Sequence, residues 1–563
     1  MAEDFMTAAV KRVEAQFEKS GVSENCAAFE RKENQIEMRD GVKLHTIYYF
    51  PKEDTAEEKT YPVILTRTCY PGNDRIHRAY GEGLARRGYV YVYQYCRGRE
   101  NSEGKWEPNI NERKDGIDTM NYLVEQPWCE ILGYWGHSYT SMTGWAFADA
   151  AEGKVAAMFL EDYGTDRFTS AYEKGCFRHD ILTAWSMENA EKPVNADYRE
   201  SCRYLPQIEV DEALWGQRVP SYREYITSPN PDAALWQTGW WKQLREIPSK
   251  TKVPIYLLSG WYDHHHGSSM KTWERLNEET KQHSWLEIGA WNHFFQICLE
   301  GKEVMHPQNE EIPKMLEWFE LTLKQKEIPT QRIRAYEIGA DRWMDTVSDG
   351  LGEKGTAGSM TLYLDEKTLR TDTPEQEKTR NYTFDPATPV ESIGGEALLH
   401  TMPQIGSHLQ PEPDYREDVL SFVSEPLEET FTLNGKASVR LFVESDCEDT
   451  AFTAKIMEVT PEGKAYNIRS SIATLEQGKT EAGAYEPGSV AEVQITMWNI
   501  VYTIPKGSRI RVDVSSSDFP QYHVHSNQKG LWSEKTENKI AHQTIHMGGE
   551  AASCVILPLM KKQ

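Results

Sequence analysis

The run Gly133-Tyr134-Trp135-Gly136-His137-Ser138-Tyr139 takes an apolar stretch into Gly-x-Ser and on into a segment rich in small residues. That order suits a nucleophile elbow, where a sharp strand-to-helix turn exposes a serine hydroxyl and a small residue two positions earlier avoids a clash. The usual pentapeptide has a second glycine two residues after the serine, and Thr140 stands there instead. Gly-x-Ser alone is common, so the reading needs partners. A serine attacks a carbonyl when a base takes its proton and a carboxylate orients that base. In the chain order Ser, Asp, His, the sequence offers Asp263 after Ser259-Gly260-Trp261-Tyr262 and His293 after Gly289-Ala290-Trp291-Asn292.

Asp263 is followed by His264, His265 and His266, and imidazole beside carboxylate raises zinc ligation as an alternative. Consecutive side chains cannot all point at one ion. The segment therefore reads as a polar loop around one oriented aspartate, with no metal and no other cofactor expected. His77, His137, His523 and His525 read as surface or hydrogen-bonded histidines.

What must position these groups is an alternation of strands and helices. A turn at Asp40-Gly41 lies within Gln35 to Tyr49 and reads as a hairpin. Tyr61 to Leu65, Arg78 to Arg87 and Tyr89 to Tyr95 then give strand, helix and strand, a unit that implies a parallel sheet. The pattern repeats with a helix over Gly116 to Glu125, a strand over Ile131 to Trp135 and a helix from Ser138 to Ala151. Strands at Val253 to Ser259 and Trp285 to Ile288 place Asp263 and His293 just past strand ends, where open α/β sheets assemble their sites.

The chain thus divides into a helical extension over 1–34, an α/β-hydrolase core over 35–165 and 247–331, an inserted helical cap over 166–246, and an all-β sandwich over 332–563. Length agrees: 563 residues exceed one compact core. A composition 39% hydrophobic and 26% charged is that of a folded protein, and a net charge of -25 disfavours nucleic acid and anionic membranes as partners. No apolar run reaches membrane-spanning length, and the first residues read as an amphipathic helix rather than a signal peptide. Nine scattered cysteines without a CxxC pair fit a reducing compartment, so a cytoplasmic location is expected.

Several segments, in order, carry a family resemblance: MRDGVKL, RTCYPGND, CRGRENSEG, GHSYTS, GWYDHHH, GAWNH, DVLSFVSEPL, DTAFTAKIMEVTPEGKAYNI and SSSDFPQY. From about Gln35 onward the chain resembles the cocaine-esterase-like branch of the Xaa-Pro dipeptidyl-peptidase (S15) hydrolases. The resemblance implies Ser138 as nucleophile, Asp263 as orienting acid and His293 as base. It also implies an oxyanion hole made by the Tyr70 hydroxyl and the Tyr139 amide. Two departures stand out: Ser141 replaces the last glycine of Gly-x-Ser-Tyr-x-Gly, and the usual Asp-x-Arg-Gly segment reads Tyr95-Cys96-Arg97-Gly98. The extension before Gln35 has no clear counterpart and is left to packing or dimerisation.

The function expected is hydrolysis of a carboxylic ester or amide through an acyl-enzyme, with a small-molecule ester, amide or short peptide as substrate and a homodimer as one assembly. The main alternative is an Xaa-Pro dipeptidyl-peptidase or amino-acid ester hydrolase that needs a free substrate amine. Asp180, Glu188 and Glu191 are then candidate anchors, against a plain solvated helix face. A second alternative is a non-catalytic binding protein that uses its jelly roll. Trp185, Trp261 and Phe294 are the candidate substrate contacts. The other cap tryptophans, Trp215, Trp236, Trp240 and Trp241, read singly as core.

Overall fold

A computed structural model describes residues 2–52, 59–346, 351, 355–398, 402 and 404–560. The first half is organised by a ten-stranded sheet. Its strands are β1 (Ala28–Glu37), β2 (Lys43–Lys52), β3 (Tyr61–Thr68), β4 (Val90–Tyr95), β5 (Cys129–His137), β6 (Val155–Glu161), β7 (Ile255–Tyr262), β8 (Trp285–Asn292), β9 (Arg332–Glu337) and β10 (Arg342–Thr346). In the sheet they run β1-β2-β4-β3-β5-β6-β7-β8-β9-β10. From β4 through β9 every neighbouring pair is parallel, whereas β1, β2 and β10 pair antiparallel at the two edges.

The central strands are buried throughout, which suits their apolar runs: Val90–Tyr95, Ile255–Tyr262 and Trp285–Asn292 contain no exposed residue. Crossover helices cover them. These include α2 (Asp74–Arg86), α3 (Glu112–Val124) and α4 (Tyr139–Trp145), and later α6 (His266–Arg275) and α7 (Glu311–Phe319). The N-terminal helix, α1 (Ala2–Lys19), lies against α2 and α7. Its Phe17 ring fills the space where a Cβ on Gly83 would otherwise stand, and the Arg87 guanidinium sits 5.0 Å from the same ring.

Between β6 and β7 the chain forms short helical turns, a two-stranded ribbon at Tyr172–Glu173 and Cys176–Phe177, and one longer helix, α5 (Gly239–Lys250). Trp215, Trp236 and Trp241 are buried there, and Trp240 is half-buried.

Beyond β10 the chain builds a branched sheet of thirteen strands. It joins segments distant in sequence, such as Thr356–Asp365 with Cys554–Met560 and Ser438–Ser445 with Ala541–Met547, always antiparallel in these pairs. The α/β-hydrolase core followed by a sheet-rich C-terminal domain is therefore the architecture. The two halves are bonded to each other: Lys302 pairs with Glu458, the His266 Nε2 contacts the Asn499 carbonyl at 3.2 Å, and Ile338 bridges to Tyr502.

Candidate active site

Ser138 is the hinge between β5, which ends at His137, and α4, which starts at Tyr139. Its φ of 58° and ψ of −126° are unfavourable for a residue with a side chain, the kind of local strain found at functional turns. Gly136 makes the turn feasible, since a Cβ there would stand 2.2 Å from the Thr140 carbonyl oxygen.

The two departures from the glycine pattern both reinforce the turn. The His137 amide donates to Thr140 Oγ1 at 2.6 Å, and that hydroxyl donates to the His137 carbonyl at 2.7 Å. Ser141 Oγ accepts from the Glu161 amide at 2.7 Å and also contacts the Gly136 and Glu161 carbonyls. The hydroxyls thus staple the ends of β5 and β6 behind Ser138, where glycines would supply no bonds. Near Arg97, Cys96 is buried and Arg97 makes paired bonds to Asp115 and Asp40.

Asp263 follows β7 and His293 follows β8, and the two meet: His293 Nδ1 lies 2.5 Å from Asp263 Oδ2. The other carboxylate oxygen accepts the His265 amide at 2.7 Å. Both residues are buried. The His293 loop also abuts the elbow, because His137 Nε2 donates to the His293 carbonyl at 2.8 Å and the two rings lie 4.7 Å apart.

The three histidines after Asp263 diverge. His264 packs its ring 4.2 Å from that of His293, His265 Nδ1 bonds Ser170 Oγ at 3.0 Å, and His266 turns toward Trp261 and Asn499. Burial holds all three imidazoles well below the usual histidine range, so they stand neutral. Asp263, His264 and His293 bring donor atoms within 4.8 Å of one another, as do His137, Asp162 and His293, spacings that a metal ion could bridge. In both sets, however, His293 Nδ1 is already engaged by Asp263.

Tyr70 lies beside the elbow. Its phenol lies near the Ser138 side chain and accepts from Trp185 Nε1 at 3.5 Å, and burial pushes its pKa up, so it stays a donor at neutral pH. The Tyr139 amide is in the first turn of α4, where helix N–H groups have no intrahelical acceptor. The Tyr139 side chain points away from this work, donating to Glu112 Oε1 at 2.7 Å and accepting from the Asn109 amide.

Of the expected substrate contacts, Trp185 stacks on Tyr139 at 5.4 Å and Phe294 stands edge-on to His293 at 5.3 Å, so both border the elbow. Trp261 is a correction. It is only 1% exposed and its indole N–H donates to the Tyr336 carbonyl at 2.8 Å, in a strand whose every position is buried between packed layers. Asp180 is likewise unavailable to a substrate amine: it is buried against Arg178, with bonds of 3.0 and 3.3 Å. Glu188 and Glu191 lie on the exposed surface.

Sequence reasoning passed over Asp162 and Arg12, and met Thr140 and Ser141 only as departures from the glycine pattern. Arg12 of α1 donates to the Phe294 carbonyl at 2.9 Å and pairs with Glu311 of α7, bracing the His293 loop from outside the sheet. Asp162 directly follows β6, with a φ of 48° and a fully buried side chain. The signal available in sequence was an acidic pair, Glu161-Asp162, at the end of an apolar strand.

Comparison with known proteins agrees with this architecture. Residues 40–295 match the family described as X-Pro dipeptidyl-peptidase (S15 family), and residues 329–556 match the X-Pro dipeptidyl-peptidase C-terminal non-catalytic domain. The cocaine esterase of Rhodococcus sp. (strain MB1 Bresler) is 27% identical, covering 94% of this chain and 98% of its own. Among solved structures, an α-amino acid ester hydrolase superposes with a TM-score of 0.81 at 21% identity, over 95% of this chain and 97% of that one. An aminopeptidase from a marine sediment Thaumarchaeota archaeon gives 0.80 at 21% identity, over 95% and 96%.

Proposed function

From a chain that belongs to the X-Pro dipeptidyl-peptidase (S15) family and is a serine hydrolase of ester or amide bonds, we infer that Ser138, His293 and Asp263 carry the reaction. His293 Nε2 takes the Ser138 proton as Oγ bonds to the substrate carbonyl carbon. The resulting oxyanion is met by the Tyr70 hydroxyl and the Tyr139 amide, two donors set in place before the charge develops. Collapse breaks the bond to the alkoxy or amino group, which leaves with the proton from His293. Water, deprotonated by the same imidazole, then attacks the acyl group and frees the acid and Ser138. The observation that carries this reading is the 2.5 Å bond from His293 to Asp263 in a loop anchored on the elbow.

A carboxylic ester is the favoured substrate. Support comes from the end-to-end similarity to a cocaine esterase and from the engagement of Asp180 by Arg178, which removes the one buried cap carboxylate considered as an amine anchor. A small-molecule ester, amide or short peptide is the partner proposed. The cytoplasm is the proposed location: no disulfide joins the nine cysteines, and no helix among the described residues is long and apolar enough to cross a membrane.

A fluorophosphonate probe tests the assignment. Label should appear on Ser138 and vanish in Ser138→Ala, with short acyl nitrophenyl esters turned over faster than Xaa-Pro nitroanilides. Faster nitroanilide turnover moves the substrate to the peptidase side. Absence of label and turnover removes the assignment and favours a binding protein.

A further inference from the structure

Two carboxyl groups, not one, approach His293. Asp162 directly follows β6, which lies next in the sheet to β7, and Asp263 directly follows β7, so adjacent parallel strands deliver both acids to the neighbourhood of the imidazole. Polar atoms of Asp162, His137 and His293 lie within 4.8 Å of one another.

The two acids are not equivalently partnered. Asp263 is met by the His265 amide and by His293 Nδ1. Neither Asp162 oxygen accepts a well-formed hydrogen bond among the described residues, although the side chain is fully buried. Its nearest cationic candidate, His137 Nε2 at 3.5 Å, already donates to the His293 carbonyl, and the Gly260 amide is its other polar neighbour. A buried carboxyl so poorly bonded is costly, and its backbone adopts a conformation uncommon for aspartate.

The groups around it make two simultaneous charges unfavourable. Glu161 precedes it with one oxygen on Trp135 Nε1, Glu311 approaches from α7, and Asp263 faces it from β7. Against these stand His293, the neutral His137, and Arg12, which is engaged by Glu311 and the Phe294 carbonyl. Burial, and next the Asp263 carboxylate, push the Asp162 carboxyl well above the usual carboxylate range, toward its protonated form.

We propose that Asp162 is a second positioning carboxyl for His293, able to support the imidazole when Asp263 cannot. The proposal rests on the Ser138 and His293 assignment above. With Asp263 neutralised, the repulsion on Asp162 is relieved, its proton is released to solvent, and the anion supports the imidazolium formed as Ser138 loses its proton.

A double-mutant cycle on the full-length protein, assayed with EDTA present, tests this. We expect Asp263→Asn to lose about 10- to 100-fold in kcat, less than the roughly 10⁴-fold seen where an orienting aspartate has no substitute. Asp162→Asn should then cost at least tenfold more in the Asp263→Asn background than in the native one. The Asp263→Asn variant should also show, besides the limb set by His293, a second acidic limb in its kcat profile that the double variant lacks. A purely structural role for Asp162 gives equal factors in both backgrounds and no lost limb, and that result overturns the proposal. If Asp162→Asn does not fold, Asp162→Leu, which fills the space without a charge, enters the same cycle with the same criteria. Fluorophosphonate labelling of the native protein separates the two levels. Unlabelled Ser138 removes the underlying assignment, whereas labelled Ser138 with equal factors removes the role of Asp162 alone.

Discussion

His137 Nε2 donates a hydrogen bond to the backbone carbonyl of His293 at 2.8 Å, so the residue before Ser138 holds the loop that carries His293. Burial keeps the His137 pKa below the ordinary histidine range, so this ring is neutral near pH 7 and, with Nε2 donating, carries its proton there. Removing the donor frees the loop to drift. His137→Ala should lower kcat by about 10- to 100-fold, the scale of a small misplacement of reacting groups, with KM little changed. His137→Gln, which retains an N–H donor, should recover part of the loss. Equal kcat in native and Ala forms would show that the loop holds itself.

Gly136 tolerates no side chain. With Thr140 O 2.2 Å from the position of a Cβ, Gly136→Ala must push the turn open, at a cost of about 1–3 kcal/mol. Urea unfolding measures that cost, and Ser138 labelling by a fluorophosphonate should slow in the folded fraction. An unchanged midpoint and labelling rate would mean the elbow is looser than its geometry.

Tyr70→Phe removes the hydroxyl proposed to meet the oxyanion while keeping the ring beside Tyr139 and Trp185. The expected effect is a fall of about 10²–10³ in kcat with KM nearly constant, the pattern of an interaction made mainly in the transition state. Steady-state kinetics on one nitrophenyl ester decide it. A rise in KM at unchanged kcat would assign the phenol to substrate binding instead.

The N-terminal helix is part of the hydrolase fold through Phe17, which is 4% exposed between Gly83 and Arg87. Phe17→Ala should destabilise the chain by about 3–5 kcal/mol, the usual cost of emptying an aromatic core site. Thermal unfolding followed by circular dichroism reads the shift. A negligible shift would show that α1 docks too loosely to matter.

Asp180 supplies a pH test that activity does not. Burial, opposed by Arg178, pushes its carboxyl up to about 6, against about 3.9 in an unfolded chain. Between those values the folded chain holds a proton that the unfolded chain has released, so raising the pH favours unfolding. Asp180 should therefore take away up to about 3 kcal/mol of stability from pH 4 to pH 6 and nothing further above it. Urea midpoints of native protein and Asp180→Asn at pH 4.5 and 7 check this. A stability difference that is the same at both values excludes it. Arg178→Met, which leaves the carboxylate buried alone, should cost about 3–5 kcal/mol at pH 7.

Much of the site was legible because its chemistry sits at strand ends. Apolar runs over 131–135 and 285–288 fall within β5 and β8, that over 253–259 overlaps β7 from Ile255, and the serine, aspartate and histidine just beyond these strands share one end of the sheet. The alternation that marks a strand says less about what lies across it. Trp261 follows the same strand as Asp263, yet its side chain enters the packed layer toward Tyr336. Asp162 lay hidden for the opposite reason: an acidic pair at the end of a strand has no motif, and only the fold brings it to His293. Thr140 and Ser141 looked like losses of glycine and prove to be added bonds.

The sheet that carries these groups continues past β8 into Arg332–Glu337 and Arg342–Thr346. β8 therefore receives a parallel neighbour from chain beyond residue 331. A hydrolase trimmed there would present β8 to solvent with a row of open backbone donors and acceptors, an edge that recruits strands from other molecules. Shortened versions intended for engineering should keep at least Thr346, or they will trade a smaller catalyst for a sticky one.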